Sequence, residues 1–227
     1  MESETCLGLL GGLGVGAFVY YYEQLAKAHL ARGVPMRLVM VHADMARGLE
    51  HVRKGETALL ADYLAELVGQ LAAAGATVAA IPAVTPHICL PELRVRSPLP
   101  LISIVDETAR ELRSRGLKRV ALFGTRFVVE TGLFGMIEGV EFVRPSADEI
   151  DSIHALYFEI VDKAAGSARQ RDAFTALAKT LRERDGVEAI VLAGTELALV
   201  FGDGADFPAV DCTRLHLDAI LRTMGLG

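Results

Sequence analysis

An α/β protein of two pseudo-symmetric, Rossmann-like lobes, each with a central parallel sheet flanked by helices, is the fold that this 227-residue sequence predicts. Three observations carry the expectation. Short apolar runs alternate with amphipathic segments along the chain. The strand-turn Gly8-Leu9-Leu10-Gly11-Gly12 is echoed by Ala121-Leu122-Phe123-Gly124-Thr125. The stretch from Gly75 to Ile81 leading to Thr85 is echoed, at a similar offset, by the stretch from Gly186 to Leu192 leading to Thr195. Length alone permits one large core or two small ones, and the repetition favours duplicated halves. The expected lobes are residues 1–103 and 104–227, with the last helix able to pack back on the first lobe. Open parallel sheets bind ligands beyond the carboxyl ends of their strands, so the site is expected in the interlobe cleft where those ends face one another.

The elements follow in order. Leu7 to Leu10 reads as a strand, Ala17 to Ala31 as a helix and Met36 to Val41 as the next strand. Thr57 to Ala74 has helical periodicity and stops at Gly75, a residue suited to a C-cap, before a strand from Thr77 to Ile81 that ends at Pro82. Ile104 to Ser114 reads as a helix and Arg119 to Phe123 as a strand. Asp148 to Ala164 and Gln170 to Arg184 read as helices, and Ala189 to Leu192 as a strand.

Composition narrows the function. A formal net charge of -6 with no Lys/Arg cluster argues against a nucleic-acid backbone as partner. Cys6, Cys89 and Cys212 stand at unrelated spacings with no CxxC pair, so no disulfide framework or thiolate zinc site is suggested, and a reducing, cytoplasmic compartment fits. The uncharged stretch from Cys6 to Tyr22 is broken by Gly8, Gly11, Gly12, Gly14 and Gly16, which suits a strand, a tight turn and a helix start rather than a membrane span.

The loop Gly12-Leu13-Gly14-Val15-Gly16-Ala17 satisfies the G-x-G-x-x-A form of a dinucleotide fingerprint. Its logic is close backbone approach to a pyrophosphate at a helix N-terminus. The acid that should follow at ~20 residues is matched only by the more distant Asp44. Three readings stay open for the loop: a nucleotide-dependent oxidoreductase, a turn that binds a smaller anion, or a turn that is only structural.

Two further loops carry a resemblance. Pro82-Ala83-Val84-Thr85-Pro86-His87 is similar to the A-C-N-T-x-H segment of the aspartate/glutamate racemase superfamily, and Ala193-Gly194-Thr195-Glu196 is similar to its G-C-T-E segment. The opening Gly-Gly-Leu-Gly with Ala17 and Tyr20-Tyr21, the second-half opening Phe123-Gly124-Thr125, and the closing Asp211-Cys212-Thr213-Arg214-Leu215-His216 resemble the same family, nearly end to end. The chain keeps Thr85, His87, Thr195 and Glu196. It has Ala83 and Gly194 where the two family cysteines would stand, and neither Cys89 nor Cys212 lies at an equivalent place.

The resemblance implies a cofactor-independent enzyme acting on a small carboxylate or dicarbonyl substrate. Removing a proton from one face of a carbon and returning it from the other needs an acid and a base, a task the family gives to thiols. Without them, ordinary two-cysteine racemisation is not expected, and an isomerase, lyase or cyclase reaction takes its place. His87, Glu196 and His216 are then the catalytic candidates. Gly12, Thr85, Thr125, Thr195, Tyr20 and Arg47 are candidates for holding the substrate, with Lys163 a weaker alternative to Arg47. Each histidine also has a structural reading, as a buried hydrogen-bonded residue. His87, His216 and Glu196 as separate ligands give no metal-spacing signature, so no metal is expected. No cofactor, nucleic acid or membrane is expected, and a homodimer is implied by the resemblance. A catalytically inactive homologue that binds a small carboxylate is the alternative.

Overall fold

The structure, a computed structural model, describes residues 5–131, 133–135 and 137–227. The first sheet and its helices comprise β1 (Leu7–Gly11), α1 (Val15–Arg32), β2 (Leu38–His42), α2 (Met45–Lys54), α3 (Thr57–Ala73), β3 (Val78–Ala80), α4 (Leu90–Arg96) and β4 (Leu101–Ile102). After α5 (Ile104–Ser114) come β5 (Arg119–Phe123), α6 (Arg126–Thr131), β6 (Glu141–Val143), α7 (Ala147–Lys163), α8 (Ala168–Asp185), β7 (Ala189–Leu192), α9 (Ala198–Phe201), β8 (Ala209–Asp211) and α10 (Cys212–Thr223). Short 3-10 turns at Thr85–Cys89 and Thr195–Leu197 follow β3 and β7.

The two sheets have the same plan. Their strand orders are β2-β1-β3-β4 and β6-β5-β7-β8, and every pairing is parallel. Parallel strands covered by helices on both faces are buried on both sides, which is why β1, β3 and β7 read as unbroken apolar runs. The chain divides into two compact units, one of Met1–Ile104 with His216–Gly227 and the other of Val105–Leu215. In the first, Tyr21 and Leu25 of α1 pack on Leu7, Leu9, Val78 and Ala80, joined by Leu217 and Ile220 of α10. In the second, Phe123, Phe174, Phe201 and Phe207 form an aromatic cluster beside Ile153, Tyr157 and Ile160 of α7. Each large apolar side chain removed from water contributes roughly 1.5–3 kcal/mol.

The spans expected for β5, α5 and β7 match the structure, and the other expected elements shift by one or two residues at their ends. Gly75 is not the cap of α3: Ala74 is, in a right-handed conformation, and Gly75 makes the following left-handed turn at φ 96°. The order reverses at β1, with β2 on one side and β3 on the other, and in open parallel sheets such a point is where ligands bind, beyond the carboxyl ends of the strands. The loops after β1 and β3, and after β5 and β7, stand at these two points.

Candidate functional site at the strand ends

In the first unit Gly12 is required by its turn. Gly12 has φ 85°, and a Cβ there would lie 2.2 Å from the Ala43 carbonyl oxygen, so close approach of the backbone alone requires glycine. Tyr20 is half-buried and packs on the apolar core. Asp44 serves as a helix cap: its Oδ1 accepts from the backbone N–H groups of Ala46 (2.9 Å) and Arg47 (3.2 Å). Arg47 is exposed, with its guanidinium 4.3 Å above the centre of the Tyr63 ring.

After β3, Ala83 and Val84 are buried and Thr85, half-buried, opens the 3-10 turn. His87 is only 4% exposed, and its Nδ1 lies 2.8 Å from the Ala83 carbonyl oxygen. A carbonyl accepts only, so Nδ1 carries the hydrogen and donates it, which fixes the tautomer. Cys89 is fully buried, and burial pushes its thiol up to about 12. His216, also fully buried, has Nε2 2.9 Å from the Ile102 carbonyl oxygen and Nδ1 3.0 Å from the Tyr21 hydroxyl. Nε2 therefore donates and Nδ1 accepts, and the ring stands edge-on to Tyr21. Burial first, and nearby His87 second, hold His216 down to about 3, so it is uncharged. His87 and His216 thus come close together, but both ring nitrogens of His216 are engaged in holding α10 to α1 and β4.

In the second unit, Thr125 is half-buried and its hydroxyl oxygen accepts from the Val128 N–H at 3.2 Å, capping the short α6. After β7, Thr195 and Glu196 are buried. Glu196 Oε2 accepts from the Thr195 hydroxyl at 3.2 Å and from the Tyr157 hydroxyl of α7. Burial raises the Glu196 carboxyl above the usual carboxylate range, against the lowering effect of hydrogen bonds from Tyr157, its own backbone and Thr195. Burial first and the charge of Glu196 second push Tyr157 well above the usual phenol range, so Tyr157 remains the donor. Gly194 touches the same ring: a Cβ at 194 would lie 2.3 Å from Tyr157 Cε2. Cys212 is fully buried, accepts from the Thr108 hydroxyl at 3.2 Å and is pushed up to about 12 by burial. Lys163, in the last turn of α7, is exposed.

Thr195 and Glu196 are therefore brought into one buried cluster, and the sequence reading missed its third member, Tyr157. Its only signal was position: Ile153, Tyr157 and Ile160 share the buried face of α7, which reads as core. Tyr21 and Tyr63 were hidden in the same way. Among the described residues, no group of three or more His, Cys, Asp or Glu is placed to hold a metal ion, and no helix is long and apolar enough to cross a membrane.

Comparison with known proteins agrees with this geometry. A candidate Asp/Glu racemase from Yersinia pestis is 25% identical, with a TM-score of 0.81 over 97% of this chain and 99% of its own. An aspartate racemase homologue from Pyrococcus horikoshii is 23% identical, with a TM-score of 0.78 over 97% and 99%. The glutamate racemase of Thermus thermophilus, solved in complex with β-chloro-D-alanine, is 22% identical and shares the fold at a TM-score of 0.63 over 98% and 82%. The two four-stranded parallel sheets, the strand-end loops and a match of residues 10–220 to the model of the Asp/Glu/hydantoin racemases converge: the chain belongs to the Asp/Glu/hydantoin racemase family.

Proposed function

We propose that this chain is a cofactor-independent enzyme that acts on a small carboxylate by acid/base chemistry in which Glu196, rather than a thiol, moves the proton. The observation that carries the reading is the buried carboxyl after β7, which burial inclines toward its neutral form and which two hydroxyl donors hold in place. A carboxyl raised above the usual carboxylate range keeps its proton more readily and can pass it to a substrate and take it back. His87, with Nδ1–H directed to Ala83, presents Nε2 as its basic nitrogen and is the acid/base candidate of the first unit. His216 acts as a brace, since protonating Nδ1 would turn the group that accepts from Tyr21 into a donor. In the first unit Thr85 and backbone N–H groups at the strand ends would hold the anion; in the second, Thr125 would do so through its hydroxyl hydrogen, its oxygen being used as a cap, while Thr195 gives its hydrogen to Glu196. Arg47 would hold a distal carboxylate. The resemblance to the family further implies an isomerase, lyase or cyclase reaction in a cytoplasmic homodimer, the last of which light scattering tests directly.

One observation favours a second reading, a binding protein without turnover. Cys89 and Cys212 are buried thiols held far from their reactive thiolate form, and Ala83 and Gly194 carry no proton. A single experiment separates the two. Thermal unfolding against a panel of small carboxylates and dicarbonyls finds the ligand, because saturating ligand raises the midpoint by mass action. NMR in deuterated water then follows that compound. Exchange of a proton or conversion to product supports the enzyme; a stabilising compound that persists unaltered supports the binding protein.

A further inference from the structure

Position 194 and Tyr157 compete for one space. A side chain at 194 would begin 2.3 Å from Tyr157 Cε2, 2.8 Å from Cζ and 3.0 Å from the hydroxyl oxygen, so its first carbon already overlaps the ring. The ring has little room to retreat. Tyr157 is 5% exposed, lies in the apolar cluster with Ile153, Leu156 and Ile160, and is tied by its hydroxyl to Glu196. Gly194 is in an extended conformation that any residue adopts, φ -146°, so the backbone does not require glycine there. The ring of Tyr157 does.

The donors at Glu196 are also one-sided. Tyr157 and Thr195 both give their hydrogens to Oε2, and among the described residues no side-chain donor reaches Oε1. In a neutral carboxyl the oxygen that accepts two donors is the carbonyl oxygen, and the proton sits on the other. Thr195 is itself held from below, where its carbonyl accepts from the Thr213 hydroxyl at 3.4 Å.

We infer that Tyr157 is the positioning residue of this strand end: its ring excludes any side chain at 194, and its hydroxyl fixes Oε2 of Glu196 so that Oε1 is the atom that carries and releases the proton. The proton-moving group of the second unit is thereby set at 196, two residues along from the position the ring has closed. This rests on the reading of Glu196 as the acid/base group and adds what orients it. The step is a simple transfer: the O–H bond at Oε1 breaks as the substrate carbon or oxygen gains the proton, the carboxylate so formed keeps its two donors at Oε2, and the reverse transfer restores it. The titratable group bonded to Glu196 is Tyr157 on α7, and Asp211 and Cys212 precede Thr213, whose hydroxyl donates to the Thr195 carbonyl. Asp211 accepts from the N–H groups of Thr213 and Arg214, and among the described residues no Lys, Arg or His shifts Glu196.

The test uses the whole protein with glutamate labelled with carbon-13 at the carboxyl, and follows the Glu196 resonance, assigned by its loss in Glu196→Gln, across a pH titration. Tyr157→Phe keeps the ring and removes the hydroxyl. Loss of a donor to the charged form should move the Glu196 midpoint upward, and on a substrate found by the ligand panel the pH profile of kcat should move the same way with little change in KM. A Glu196 midpoint unchanged in Tyr157→Phe overturns the inference and leaves Tyr157 as core packing. Turnover unchanged in Glu196→Gln instead overturns the reading of Glu196 as the acid/base group, whatever Tyr157 does. The steric half is read by Gly194→Cys. Alone it should lower the unfolding midpoint sharply, and with Tyr157→Ala much of that loss should vanish relative to Tyr157→Ala itself; equal losses in both backgrounds overturn it.

Discussion

The two units are built on sheets of the same strand order, with the loop after β3 matching the loop after β7, and each buries a titratable group that burial inclines toward its uncharged form, for opposite reasons. In the first unit the group is an imidazole, His216, stripped of its proton by burial and committed at both nitrogens. In the second it is a carboxyl, Glu196, inclined to keep its proton by burial and committed at one oxygen. A group with every polar atom engaged holds the fold, and a group with one atom spared has a proton to move. The contrast extends to the residue just after each strand. Ala83 is buried and carries its Cβ without needing its neighbours to shift, whereas Gly194 stands against an aromatic ring that leaves no room for one.

The largest effect should come from putting a methyl group at that second position. Gly194→Ala forces the Tyr157 ring out of a packed cluster, and overpacking of this kind costs about 3 kcal/mol. Urea unfolding measures it. In a Tyr157→Ala background the same methyl enters the vacated space and its cost should fall to a fraction of that value, a coupling a double-mutant cycle reports. Additive losses would mean that the two strand ends do not differ in the way the geometry indicates.

His216→Ala attacks the brace of the first unit. It leaves the buried Tyr21 hydroxyl and Ile102 carbonyl without this partner and opens a cavity, a loss of about 2 kcal/mol at neutral pH. It also removes a pH dependence. His216 titrates near 6.5 when unfolded and at about 3 when folded, so the unfolded chain binds the extra proton between those values. Its contribution is complete above pH 6.5 and declines as pH falls toward 3. The parent protein should lose stability on acidification across that window more steeply than His216→Ala. Parallel curves would show that His216 is protonated in the folded protein.

Much of this was legible in the sequence, and the rest was hidden for identifiable reasons. The runs from Leu7, Arg119 and Ala189 were readable because strands buried on both faces leave no polar interruption, and the echo between halves exposed the duplication. The short edge strands Leu101–Ile102 and Ala209–Asp211 carry too few residues for a periodic signal. Asp44 looked like a distant ribose-binding acid because an N-cap and a ligand acid share the same place after a strand, and only its hydrogen bonds to Ala46 and Arg47 separate them. His87 and Glu196 were found by their loops. Tyr157 was not, because an aromatic residue on the buried face of a helix has the same pattern whether or not its hydroxyl holds a carboxylate.

Glu196→Gln sharpens the comparison from the other side. Glutamine is close in shape to the neutral carboxyl and keeps an oxygen that accepts from Tyr157 and Thr195. The folded pKa of Glu196 is raised above its ordinary 4.5, so its stabilising neutral state is fully present below 4.5 and is lost as pH rises through the folded value. The parent should therefore lose stability with rising pH in that interval, by up to about 1.4 kcal/mol per pH unit for one proton, and Glu196→Gln should not. The variant should be at least as stable as the parent at neutral pH while losing turnover. Thermal unfolding at several pH values reads the first effect, and an identical pH slope in both proteins would place a charged carboxylate at this strand end.

The smallest effect on stability, and a separate question about ligand, belongs to Arg47. Its guanidinium lies over the ring of the buried Tyr63, while its backbone N–H donates to Asp44, so the side chain is held by the ring alone and faces no carboxylate among the described residues. A solvent-exposed cation over an aromatic ring contributes about 0.5–1 kcal/mol, and Arg47→Ala should lower stability by no more than that. A charge-assisted, two-pronged contact to a ligand carboxylate has a larger effect, so the dissociation constant for the carboxylate found by thermal unfolding should rise by about tenfold or more. Arg47→Lys keeps the charge but loses the planar fork and should fall between the two. Lys163→Ala supplies the comparison, since that exposed side chain at the end of α7 is the other cation proposed for this task. If Arg47→Ala weakens binding no more than Lys163→Ala does, Arg47 only covers Tyr63 and holds no ligand.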